Sequence, residues 1–456
     1  MGGRVSVVLS SLTVRGRCLV VAGGALLLVG VLLGERALVR IALFVLALPL
    51  ISAVVVLRER FSVTSRRTVS PARVPRGQDA EVLLELTNAD RRAGGLWLLS
   101  EELPAELGTE PHFLVERLAA GATAGLRYQV HGARRGRHTL GPLRLRLVDP
   151  FGLVLRSTSG TDTVPLVVVP RVRPLGEGGP GGGTGGTGEG AKRALAVHGE
   201  DDVSTRPYRQ GDDLRKVHWR SSAHTGELMV RLEERPWRSQ ATLLLDTRQR
   251  AHLVTPRRPG PAAPAVVPGD DAPPTDSLEW LIEAAASIGS ALARRGAALR
   301  VLTDAGDLAS GDGRVGLSPD ELLDQLAGVG ASPVSSLETG IERACRAAGD
   351  GPLVCLLGAI GPDDAVELVR VRSGPATDLA VLVDLGSWAD AGATRGRRAM
   401  SAVSRAELDR QRENAAELLR AAGWQVAIAR ADSPVEEIWR ELGRPSAVGT
   451  TLRVRA

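Results

Sequence analysis

Cysteine, aromatic side chains and lysine are all scarce in this sequence. Cysteine occurs only at Cys18, Cys345 and Cys355. There is no CxxC pair and no Cys/His cluster, so neither a disulfide framework nor a zinc site is supported, and a reducing compartment fits. Aromatics make up 3% of the chain, so its cores must be built mainly from Leu, Val and Ala. Lys192 and Lys216 are the only lysines; the net charge of +5 comes from 57 basic against 52 acidic residues, nearly all of the basic ones arginine. That excess is small for 456 residues. No recognition module accompanies it, so no nucleic-acid partner is expected. With 43% hydrophobic and 24% charged residues the chain is ordinary for a folded protein, and long enough for two or three domains.

Two long runs lack charge altogether, at 18–33 and 41–57. Each forms a helix of about 25 Å at ~1.5 Å per residue, slightly short of a ~30 Å hydrocarbon core. Arg17, Arg36, Arg40 and Arg58 flank them and can snorkel to close the gap. The intervening GERALVR is a tight turn, so residues 1–60 are expected to form a transmembrane hairpin in the lipid bilayer. Arg4, Arg15 and Arg17 precede it, and Arg58, Arg60, Arg66 and Arg67 follow it. The positive-inside rule then puts both termini and the bulk of the chain in the cytoplasm of a two-pass protein.

Over 61–175 the apolar period shortens to two, as at 80–86, 125–130 and 143–148, with frequent turn signals. About seven short strands fit an antiparallel β-sandwich. Asp149-Pro150-Phe151-Gly152 reads as a turn with an aromatic plug, and His112 and His138 as surface or turn residues rather than ligands. A Gly-rich linker follows at 176–195. It lacks a following GK[ST] and is not a phosphate loop.

The stretch 196–240 contains RPYRQGDDLRKVHWRSSAHTGELMV, dense in Arg, Asp, His, Trp and Tyr. Asp212 or Asp213 can cap a short helix, and LMVRL alternates as an edge strand. A catalytic reading takes His218 as base, oriented by Asp212 or Asp213. No nucleophile accompanies them beyond Ser221 and Ser222, and no GxSxG elbow exists. Arg and Trp are residues that carry interfaces, and the alternative is a polar joint that packs through Arg215, Trp219 and Arg220.

From 241 to 456 apolar strands at 241–246, 298–303, 352–357, 378–384 and 424–429 alternate with helices at about 277–295, 319–328, 335–348, 362–371, 409–422 and 433–442. This predicts a mainly parallel sheet covered on both faces, with a disordered insert at 255–276. Ligands bind such sheets at the strands' carboxyl ends, where Asp246 stands.

The segments RRGRHTLGPLRLRLVDPFGL (134–153) and RPYRQGDDLRKVHWRSSAHTGELMV (206–230), in the order hairpin, sandwich, α/β, resemble the bacterial membrane family catalogued as domain of unknown function 58. Arg206, Tyr208, Gly211, Asp212, Arg215, His218, Trp219, Arg220 and Ala223 carry the likeness. The resemblance implies a von Willebrand factor A-like terminal domain, a MoxR-type AAA+ ATPase and a transglutaminase-like membrane protein as partners, and an adaptor role without an activity or cofactor of its own. Metal-binding A domains carry Asp-x-Ser-x-Ser, where this chain has Asp246-Thr247-Arg248-Gln249-Arg250. Two guanidinium groups repel a cation that wants oxygen ligands. No metal is therefore expected, with Arg248 or Arg250 paired to Asp246 instead. The alternative is an envelope-related hydrolase using His218 with Asp212, or a metal at Asp246.

Overall fold

The computed structural model describes residues 12–58, 63–91, 96–149, 151–176, 180, 205–207, 219–231, 240–253, 276–308, 316–349, 351–371, 377–394 and 399–444. The chain divides into two compact units. One is built on Met1–Arg171; the other on Val172–Thr255, Pro273–Gln325 and Val329–Ala456.

The first unit opens with two helices, α1 (Val14–Leu32) and α2 (Arg36–Arg58), both long and apolar enough to cross a membrane. Both run beyond the uncharged stretches into flanking arginines; α1 starts at Val14 because Thr13 caps it by accepting from Gly16 N. Gly16, Gly23 and Gly30, seven apart, are the buried residues of α1. A Cβ at Gly23 would lie 2.8 Å from Leu46, and one at Gly30 3.0 Å from Val39 N, so the glycines set how closely the helices approach.

Ten strands follow: β1 (Val63–Ser70), β2 (Arg73–Pro75), β3 (Asp79–Asn88), β4 (Leu96–Glu101), β5 (His112–Glu116), β6 (Thr123–His131), β7 (Gly136–Leu140), β8 (Leu143–Val148), β9 (Leu155–Ser159) and β10 (Val164–Val169). They form three sheets, in the orders β1-β3-β6, β2-β10-β7 and β5-β4-β8-β9. Pairing is antiparallel except between β10 and β2, which run parallel, a departure from an all-antiparallel arrangement. β3 buries every second residue. Ala80 and Val82 enter one core with Val130, Leu140, Leu166 and Val168. Leu84 and Leu86 enter another with Trp97, Leu99, Leu143, Leu145 and Leu147.

Three expectations in this region change. His138 is a strand residue, 9% exposed, and its Nε2 lies 3.2 Å from the Arg134 carbonyl. Phe151 is 59% exposed and is no plug. The turn is held instead by buried Asp149, whose carboxylate accepts from Phe151 N and Val154 N. There are also more strands than the expected seven, because three- to five-residue strands such as β2 and β7 leave too short a periodic signal.

The second unit holds a small antiparallel pair, β11 (Thr205–Pro207) with β12 (Met229–Arg231), and between them the helix α3 (Trp219–Thr225). Its main sheet has six strands, β13 (Gln240–Leu245), β14 (Ala298–Thr303), β15 (Gly306–Leu308), β16 (Leu353–Leu357), β17 (Leu379–Val383) and β18 (Gln425–Ala429), ordered β15-β14-β13-β16-β17-β18. Only β15 is antiparallel. Around it are helices α4 (Ser277–Arg294), α5 (Pro319–Gly328), α6 (Glu338–Ala348), α7 (Pro362–Val371), α8 (Leu385–Ala393), α9 (Ala402–Ala421) and α10 (Val435–Leu442). The strands are apolar on both faces because both are covered. Leu244, Leu302, Cys355 and Leu382 join one core with Ile341 of α6, Leu368 of α7 and Leu419 of α9. Cys355 is thus a core thiol. α4, with Trp280 edge-on to Trp388 at 6.0 Å, contributes on β13, β14 and β16. Its buried Glu283 pairs with Arg173 at 3.0 Å.

The expected edge strand around Met229–Arg231 pairs with β11 and does not extend the six-stranded sheet. Helix α9 starts seven residues before the expected 409, because Ser401 caps it at Ser404 N. Residues 255–275, and the linker 176–195 apart from Gly176 and Pro180, lie outside the described residues.

In the first unit, Arg67 on β1 is fully enclosed. It makes a fork to the Oε1 and Oε2 of Glu101 and donates to both the carbonyl and the carboxylate of Asp162. Burial alone would lower the guanidinium pKa, and the two carboxylates more than reverse it. Removing one partner leaves a bare buried charge, which costs about 3–5 kcal/mol, whereas apolar replacement of both is often neutral. Arg67→Met is therefore expected to destabilise the protein by that amount in urea unfolding. Arg67→Met with Glu101→Leu should recover most of it.

Candidate functional site

β13 and β16 are neighbours in the sheet but are separated in sequence by β14, which lies on the other side of β13. The chain therefore reverses its winding between β13 and β16, and a crevice opens at their carboxyl ends, where open α/β sheets bind ligands. Asp246 follows β13 there, and Gly358-Ala359 follow β16.

The crevice is filled from within. Asp246 is fully buried and Arg248 is 1% exposed. Arg248 Nε donates to Asp246 Oδ1 at 2.9 Å, and its Nη2 donates to Oδ2 at 2.9 Å. Arg248 N adds a third bond to Oδ1 at 3.1 Å, and Gly358 N a fourth to Oδ2 at 3.2 Å. A carboxylate offers about four lone-pair positions, so Asp246 has no acceptor capacity left for a metal or a substrate proton. The guanidinium also donates to the Ala359 carbonyl and lies 3.4 Å from Asp364. Burial pulls the Arg248 pKa down, and Asp246, then Asp364, pushes it up by more. Arg250 does not take part; it is exposed in the short 3-10 turn Gln249–Ala251.

Neighbouring groups fix this loop. Thr247 donates from its N and Oγ1 to Asp304 Oδ1, at 2.7 and 2.6 Å. Ser332 N donates to the Thr247 carbonyl and Gln249 N to the Ser332 carbonyl, so residues 247–249 are clamped against the 331–334 loop. Gly358 cannot carry a side chain: its Cβ would stand 2.3 Å from the Ala251 carbonyl and 2.7 Å from the His252 ring.

His252 was not apparent from sequence, since it belongs to no motif. Its Nε2 lies 2.8 Å from the Asp246 carbonyl, which can only accept, so Nε2 carries the proton. Its Nδ1 faces Ser277 Oγ at 3.2 Å, and that oxygen accepts from Leu253 N. This relay fits a neutral imidazole. Burial pushes the His252 pKa down, against the weaker upward pull of Asp246.

Of the motif residues 206–220, Tyr208, Gly211, Asp212, Arg215 and His218 lie outside the described residues. Arg206 lies in β11, opposite Val230. Trp219 and Arg220 open α3, and Trp219 is 71% exposed. Among the described residues, no group of three or more His, Cys, Asp or Glu is placed to hold a metal ion. On the nearby loop before α6, Ser336 Oγ accepts from Glu338 N.

No family profile matches the chain, and no curated protein does. Likeness to solved structures is slight. A CARDB domain from Pyrococcus furiosus is 14% identical over 24% of this chain and 94% of its own, with a TM-score of 0.18. The alkylpurine DNA glycosylase AlkC of Pseudomonas fluorescens is 16% identical over 27% of this chain and 39% of its own, with a TM-score of 0.16. A β-glucosidase from Listeria innocua is 12% identical over 22% of this chain and 16% of its own, with a TM-score of 0.14.

Two outcomes follow from the site. Arg248→Met strands the Asp246 carboxylate and is expected to cost about 3–5 kcal/mol in chemical unfolding of the α/β unit. The second concerns pH. The unfolded chain protonates His252 near 6.5, while the folded chain resists, so this contribution is complete above about pH 6.5 and is lost as pH falls below it. The urea midpoint should therefore drop between about pH 6.5 and 5, and the drop should be smaller in His252→Gln.

Proposed function

We propose that this chain is a membrane-anchored adaptor of the domain-of-unknown-function-58 type, acting through protein–protein contacts rather than catalysis. In this reading α1 and α2 form a two-pass hairpin with both ends cytoplasmic. The strands of the first unit make a β-sandwich, and the six-stranded sheet belongs to a von Willebrand factor A-like domain whose metal position is degenerate. The partner is a MoxR-type AAA+ ATPase, with a transglutaminase-like membrane protein as a further associate.

The observation that carries the reading is the Asp246–Arg248 fork. It lies at the carboxyl ends of β13 and β16, where the sheet topology favours ligand chemistry, and it occupies the acceptor positions of Asp246, the carboxylate that stands at the metal-motif position. Trp219, exposed within the Arg- and Asp-rich motif, supports an outward-facing contact surface, since such aromatics anchor interfaces.

The test is affinity capture of the full chain from solubilised membranes. The ATPase is expected to co-purify. Trp219→Ala should weaken capture by about 2 kcal/mol, roughly thirty-fold, with an unchanged circular dichroism spectrum. Capture without an ATPase from intact protein would count against an adaptor role; loss of folding in Trp219→Ala would mean an internal joint.

A further inference from the structure

The turn after β8 is bonded to the first apolar helix across 140 residues of sequence. Thr13, the residue that caps α1, donates from its Oγ1 to the Gly152 carbonyl at 2.7 Å and from its N to the Leu153 carbonyl at 2.9 Å. Leu12 bridges to Val154. Gly16, one turn into α1, lies so close that a Cβ there would stand 2.3 Å from the Leu153 carbonyl. The turn itself is rigid: buried Asp149 accepts from Phe151 N at 3.1 Å and from Val154 N at 2.7 Å, and Gly152 takes a φ of +68°. Among its described residues, the large side chain presented outward is Phe151, 59% exposed, in a chain with only four phenylalanines. Val14, beside the cap, is 75% exposed. Arg15 and Arg17 are exposed as well, and Arg15 Nη1 lies 3.9 Å from where a Gly152 Cβ would be.

We infer that this turn is a lipid-contacting foot: Phe151 seats in the headgroup–acyl boundary of the bilayer, and Arg15 and Arg17 face anionic headgroups. The inference rests on the reading of α1 as a membrane span. A helix of 19 residues is about 28 Å long, close to the ~30 Å hydrocarbon thickness, so its cap lies at the boundary. Phe151 precedes the residue bonded to that cap by about 3.8 Å of chain, and is held at the same depth. An aromatic side chain with adjacent arginines is the composition that binds a membrane surface. The rigid turn also means that little conformational entropy is lost on seating.

The experiment uses the full chain in nanodiscs containing phosphatidylglycerol. Cys18 is replaced by serine; Cys345 and Cys355 are 7% and 0% exposed and stay unlabelled in the folded protein. A fluorophore is attached at Phe151→Cys or, separately, at Val21→Cys, a position 71% exposed within α1. Nitroxide lipids labelled near the headgroup should quench the probe at 151 by about twofold or more, and more than lipids labelled near the chain end. Quenching at 21 by the deep nitroxide, with none at 151, would overturn the foot and leave the anchor standing. Absence of quenching at both positions would overturn the anchor, and the foot with it.

Discussion

A carboxylate buried at the end of a strand must find positive charge or hydrogen-bond donors, and in the α/β unit Asp246 finds both two residues away. The fork from Arg248 is short, local in sequence and out of water. Much of the surrounding architecture serves it. The loop turns back so that the Arg248 backbone N–H also reaches the carboxylate. Gly358 brings a fourth donor because, without a Cβ, the 358–359 backbone can lie against Ala251. His252 closes the far side on the Asp246 carbonyl. Such a pair adds little net stability compared with apolar packing, since desolvation offsets its attraction. Its physical consequence is specification: one loop conformation satisfies every group, and the alternatives leave a buried charge exposed to a low dielectric.

The first unit solves a similar problem in the same way. Arg67, between Glu101 and Asp162, is held inside a β structure whose cores are aliphatic. Burial and the nearby Glu101 push the Tyr128 hydroxyl far above its ordinary pKa. With so few aromatics, this protein fixes its interiors with small aliphatic side chains and orients them with a few arginine–carboxylate forks. Arginine suits this role where lysine would not, because its planar guanidinium can satisfy two oxygens at once.

The parts of this fold legible in sequence are those where one signal dominates. The five parallel strands are runs of Leu, Val and Ala buried on both faces, and each lies within about one residue of its expected place. α8 and β15 were not legible. The first is nine residues with two glycines, started by an Asp384 side chain that caps Ser387 N, and the second is three residues long. The parallel pairing of β2 with β10 depends on contacts more than ninety residues apart, which no local period encodes. At the candidate site, Asp246 and Arg248 could be singled out because their spacing resembles a metal motif with its serines replaced. His252 could not, because it belongs to no motif and its role exists only once the loop after β13 folds back onto the Asp246 carbonyl. The heptad spacing of Gly16, Gly23 and Gly30 was present in the sequence as a signal, and it becomes meaningful once the second helix is seen to pack on Gly23 and Gly30.

The attachment of the β module to the hairpin carries the last step of the argument. A domain on a flexible tether can take any orientation relative to its anchor; this one is held at two places. The start of α1 is capped by the 152–153 carbonyls, and near the end of α2 Ala53 and Val56 share a core with Leu84, Leu99 and Leu145. Two attachments on two packed helices fix both tilt and rotation, because turning about either helix would break the contacts of the other. The β module is therefore an extension of the hairpin rather than cargo on it. Any force or tilt imposed on the helices reaches the strands through the hydrogen bonds of the 149–153 turn and through packed aliphatic side chains.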